Sequence, residues 1–240
     1  MYYKIDSSDK IYGFKFKYQT DNPYNLPLWD TIPFEKITFI TFERYRLKEL
    51  PPLDKLVNVE KLFCNHNQLK YLPDLSKLKK LKVLHCSFNQ LEELPNLDEL
   101  TELETLYCSH NNLVELPSLD KLQKLITLAC RNNKITHLPS LNKMNNLIEF
   151  YCEDNEINTL PDMSNLVSLS YLGINDNNIT ELPRSIVYCK KLYEYELEDY
   201  YNTIDFVDEK INGLTDLIRE KVEKYYYTPL MNFFYNVYVF

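Results

Sequence analysis

The chain has 240 residues, with 27 Lys or Arg against 35 Asp or Glu and a formal net charge of −8 at pH 7. That length can bury a sizeable core, and 26% charged with 45% hydrophobic residues is the balance of a globular protein. The acidic balance argues against generic nucleic-acid binding, which shows a basic face, and no apolar run reaches the ~18 residues of a membrane-spanning helix.

The N-terminus, MYYKIDSSDKIYGFK, lacks the apolar core of a secretory signal. The expectation is a cytoplasmic, intracellular protein rather than a secreted one. Residues 1–36 do not repeat. IYGFKFKY alternates and is β-prone, so it predicts a strand or hairpin over the first repeating unit. The NPYNLPLWDTIP stretch predicts an irregular connection with Trp29 turned inward. Only three glycines and one alanine, Ala129, occur in the whole chain, a bias of an AT-rich coding source.

From residue 37 the sequence is periodic. Five units of 22 residues align without a gap from Val59, the first being VEKLFCNHNQLKYLPDLSKLKK. A unit starting at Leu169 runs one residue longer, and one starting at Ile37 carries Tyr45 where the others carry Asn. In the unit from Leu81, Leu84 and Cys86 are two apart and share one side of a short strand. Leu94, Leu97 and Leu100 are three apart, which suits a 3₁₀ or loosely helical return path on the convex side. One unit cannot bury its single apolar edge, and stacking buries it continuously.

The motif L-x-x-L-x-C-x-x-N-x-L-x-x-L-P-x-L-x-x-L resembles the leucine-rich-repeat family over residues 37–204, in its short form. In detail it looks like short-repeat phosphatase regulators and the leucine-rich proteins of bacteria and viruses, giant viruses included. The resemblance implies an α/β repeat solenoid. A parallel sheet lines the concave face, short 3₁₀ or irregular segments the convex face, and non-repeat caps close both ends, residues 1–36 and 205–240. It also implies that Asn67, Asn89, Asn111, Asn133, Asn155 and Asn177 form a structural ladder bonded to the backbone of the turns, since buried amides left unpaired are costly.

Cys64, Cys86, Cys108, Cys130 and Cys152 recur every 22 residues at an inward position, and Cys189 replaces a core leucine. A straight row cannot wrap a tetrahedral metal, so the reading is inert core thiols, with no metal and no cofactor. His66, His85, His110 and His137 lack a close set of carboxylates, and a metal site is not favoured there either.

The residues between the inward ones line the sheet. One stripe runs Thr41, Phe63, His85, Tyr107, Ala129, Tyr151, Gly173; a second runs from Glu43 and Asn65 through Ser87, Ser109 and Arg131 to Glu153 and Asn175. A third runs Arg44, His66, Phe88, His110, Asn132, Asp154, Asp176. Rings gather towards the N-terminus (Phe63, His66, His85, Phe88, Tyr107, His110), with Tyr151 further on. Carboxylates gather towards the C-terminus (Glu149, Glu153, Asp154, Asp176). Residues 149–209 hold 14 Asp or Glu against 3 Lys or Arg. Lys55, Lys77, Lys121 and Lys143 share a convex position and read as a solvated face.

After Leu192 the pattern degrades: Leu192, Tyr195, Leu197 and Tyr200 keep strand spacing, but no ladder asparagine follows. From Asp205 the apolar period turns helical, and the YYYTPLMNFFYNVYVF tail predicts either a seal on the last unit or self-association. The functional expectation is a non-catalytic scaffold that binds a protein partner of basic and apolar surface on its concave face. Substrate recognition within a ubiquitin-ligase or phosphatase complex and a self-associating assembly component are the alternatives, with no membrane or nucleic-acid partner. No nucleophile elbow, phosphate-binding glycine loop or H-E-x-x-H motif supports an enzyme.

Overall fold

A computed structural model describes residues 2–5, 11–15, 34–180, 182–193 and 204–205. Ten strands form one sheet in sequence order. β1 (Tyr2–Ile5) and β2 (Ile11–Lys15) pair antiparallel, and β2 lies parallel to β3 (Phe39–Thr41). The repeats supply β4 (Lys61–Phe63), β5 (Val83–His85), β6 (Thr105–Tyr107), β7 (Thr127–Ala129), β8 (Glu149–Tyr151) and β9 (Tyr171–Gly173), all parallel and in register. β10 (Ile204–Asp205) adds parallel to β9. Trp29, residues 194–203, the helical pattern beyond Asp205 and the aromatic tail lie outside the described residues.

Each repeat strand is three residues long because the unit needs only one inward residue there. Leu62, Leu84, Leu106, Leu128, Phe150 and Leu172 fill that place with no exposure. The following cysteines, then the leucines or isoleucines after each ladder position, continue one unbroken core.

The asparagines join the rungs. Asn111 Oδ1 accepts from the backbone N–H of Leu91 in the preceding rung at 3.0 Å. Its Nδ2 donates to the carbonyls of Cys86 (3.2 Å), Cys108 (2.9 Å) and Ser109 (3.3 Å). Asn89, Asn133, Asn155 and Asn177 repeat that pattern. Asn67 does the same for the first unit, accepting from Tyr45 and Leu47 N–H. Side-chain amides therefore satisfy backbone groups that a three-residue strand leaves unpaired.

The α half of the expected class is not found: no α-helix occurs among the described residues, and the convex path is made of turns. Each rung closes it with two i→i+3 bonds, such as Leu100 N–H to Leu97 O and Leu103 N–H to Leu100 O, both 2.9 Å. The proline after each inward leucine, such as Pro95, lacks the N–H that a helix interior needs and pushes the preceding leucine out of helical geometry. True 3₁₀ segments appear at Phe34–Lys36, Arg184–Tyr188 and Lys190–Tyr193.

All six cysteines are buried and free. Burial pushes the thiol of Cys86 up to about 12 and those of Cys64, Cys108, Cys130 and Cys152 well above their ordinary value. Cys108 and Cys152 also donate their S–H to the strand carbonyls of Ala129 (3.4 Å) and Gly173 (3.2 Å). Protonated, enclosed sulfurs are poor nucleophiles. Native protein should therefore react with a thiol reagent at least about a hundredfold more slowly than the same chain in denaturant, and several fast thiols in the folded state would refute the burial.

Candidate functional site

Two positions in each rung present the sheet face. The strand's third residue carries Phe63, His85 and Tyr107, half-buried and packed edge to face. Ring centroids lie 5.7 Å apart from Phe63 to His85 and 5.2 Å from His85 to Tyr107. Phe39 joins the same row, 5.3 Å from Phe63. Burial holds the His85 imidazole below its usual range, with the Glu43 carboxylate pulling the other way.

The second row stands where the chain turns out of the strand. Arg44, His66, Phe88, His110, Asn132, Asp154 and Asp176 all have positive φ, between 52° and 63°. That left-handed turn aims two successive N–H groups at the next rung. Phe88 N–H donates to Ser109 O at 3.0 Å and Asn89 N–H to His110 O at 3.2 Å. His, Asn and Asp accept this conformation readily; a bulky ring does not. Phe88 takes it nonetheless, at 43% exposure. Its ring is sandwiched between His66 (4.3 Å, 8° interplanar) and His110 (4.2 Å, 14°). At the head of the row Arg44 Nη2 lies 3.5 Å from His66 Nε2.

The first row of rings breaks at Ala129, which is buried, 7% exposed, between the rungs of Tyr107 and Tyr151. Beyond it the surface turns acidic. Glu149 Oε2 accepts from Thr127 Oγ1 at 3.1 Å, and Glu153 Oε1 accepts from the Tyr171 hydroxyl at 3.3 Å. Tyr151 and Tyr171 lie 4.5 Å apart. Burial and then the neighbouring Glu149 and Glu153 push the Tyr151 phenol up. The Glu153 carboxylate lies over Gly173, in the space a Cβ would take, which explains a glycine where other rungs carry rings. Asp154 and Asp176 are exposed.

The expected partner-binding residues lie along one side of the repeats: Phe63, His85 and Tyr107 in one row of rings, His66, Phe88 and His110 in another, and Tyr151 with the carboxylates beyond Ala129. The second stripe is exposed only in part: Arg131 is exposed and Glu43, Glu153 and Asn175 are half-buried, but Asn65, Ser87 and Ser109 are only 3%, 3% and 5% exposed and floor the face, as do Thr41 and Ala129 of the first stripe. Phe39 and Tyr171 were missed as face residues; the two-residue spacing from Thr41 and Gly173 was the signal for both. His137 stands apart, at an isolated bridge to Glu115. Among the described residues no three His, Cys, Asp or Glu side chains gather as a metal site, and no helix is long and apolar enough to cross a membrane.

The family model for leucine-rich repeats (two copies) matches residues 57–99 and again 101–143. Among solved structures, a leucine-rich-repeat protein of Leptospira interrogans aligns with TM-score 0.61 at 27% identity, covering 65% of this chain and 41% of that one. YopM, a leucine-rich effector protein from Yersinia pestis, aligns with TM-score 0.56 at 32% identity, covering 64% of this chain and 41% of that one. The chain thus spans well under half the length of either. No curated protein matches it in sequence. The repeats and their parallel-sheet solenoid are similar to those of leucine-rich-repeat proteins, a fold whose members commonly mediate protein–protein interaction.

Proposed function

We propose that the array is a rigid, non-catalytic scaffold whose sheet face binds a protein, with the ring rows as apolar anchor and the carboxylate end as the seat of a basic flank. The observation that carries this reading is Phe88. A phenylalanine in a left-handed turn costs conformational energy that His or Asn there would not, and its ring stays 43% exposed. Strain of this kind is retained where a surface is used, and exposed aromatics are the usual anchors of interfaces. A cytoplasmic setting belongs to the same reading, since free thiols in core positions suit a reducing compartment.

Phe88→Asn separates folding from binding. Loss of two ring stacks is offset by relief of the turn, so stability should change by less than about 1 kcal/mol. With the full chain as bait in its native cell extract, a specific protein should be captured by wild type and by the convex variants Lys77→Glu and Lys121→Glu, and lost with Phe88→Asn. Capture that survives Phe88→Asn but fails in the convex variants would place the site on the other face and end this reading.

A further inference from the structure

The sheet face is complementary to itself about its central rung. A two-fold axis parallel to the strands, set at the rung of Thr105 to Tyr107, lays one face on another with the rung order reversed. Each residue then meets the same strand position in the rung equally far from the centre. Arg44 meets Asp176 and Lys61 meets Glu149, opposite charges at two independent positions. His66 meets Asp154. None of the charged residues that present this face at those positions meets its own sign.

Ring order follows the same axis. His85 and Phe88 stand in the rung that faces Ala129 and Asn132, and Phe63 meets Tyr151, ring on ring. Charge order and ring order are separate features of the sequence, and both pair across one rung.

We propose that the partner of this face is a second copy of the chain, bound antiparallel in an isologous dimer. The proposal rests on the sheet face being the binding surface and names its occupant. An isologous interface uses each contact twice, so one well-placed charge reversal acts at two places.

Sedimentation equilibrium of the full chain tests it. Wild type should show a concentration-dependent dimer. Arg44→Asp and Asp176→Arg should each weaken dimerisation more than about tenfold, because like charges then meet twice. The double variant should recover to within about threefold, as a coupled pair does. A wild type that stays monomeric at about millimolar concentration, or a double reversal that recovers nothing, overturns the second copy as partner. In that case continued capture of another protein, lost with Phe88→Asn, would leave the binding face itself intact.

Discussion

Replacing Asn111 by Leu is expected to cost about 3 kcal/mol of stability, although it puts an apolar side chain into a core. The amide is 9% exposed and makes four bonds, one from Leu91 N–H and three to carbonyls of two rungs. Leucine fills much of the volume but satisfies none of these groups. The orphaned Leu91 N–H alone costs about 1–3 kcal/mol, and the carbonyls, which have a second lone pair, add less each. For a chain of this size the melting temperature should fall by about 10 °C. The same change at Asn133, whose side chain reaches the surface, should cost less, because water can replace part of what is lost. Equal melting temperatures for wild type and Asn111→Leu would show that the amide ladder does not hold the rungs together.

That ladder marks what the sequence made legible. A period of 22 with apolar residues at fixed places can be satisfied in one way, by stacking, so the core from Leu62 to Leu172 and the buried cysteines could be read directly. The three-residue spacing of Leu94, Leu97 and Leu100 was ambiguous, because a run of i→i+3 turns and a 3₁₀ helix place side chains alike. The exposed stripe was misjudged for another reason. Alternation holds only inside a strand, and these strands end at Phe63, His85 and Tyr107. Two residues on, at Asn65, Ser87 and Ser109, the chain is already turning and the side chain points down. The stack of His66, Phe88 and His110 was visible as a column of residue types but not as a geometry. It depends on a left-handed turn that sequence usually announces with glycine, and here no glycine occupies it.

Tyr107→Ala should weaken binding at the sheet face by about 2 kcal/mol, roughly thirtyfold in Kd, and nearly all of it should appear in the off-rate. Tyr107 is placed for this. It lies on the central rung, half-buried, its ring packed edge to face on His85, so a partner group that covers it is enclosed on contact. Its half-buried ring is held by neighbours rather than by the core, so the fold should tolerate its removal. The acidic end should respond in the opposite way. Asp154 and Asp176 are exposed, and charges of that kind guide the encounter more than they hold the complex. Reversing both to Lys should slow association more than about tenfold at low salt, with the effect fading above about 0.5 M as the screening length drops to a few ångströms. Glu153 is the wrong residue for that experiment, because its carboxylate is packed over Gly173 and its loss would disturb the surface itself. Measured by surface plasmon resonance against whatever occupies the face, the ring change must act on dissociation and the charge change on association. An off-rate unmoved by Tyr107→Ala would remove the aromatic rows from the binding surface, whatever the carboxylates do.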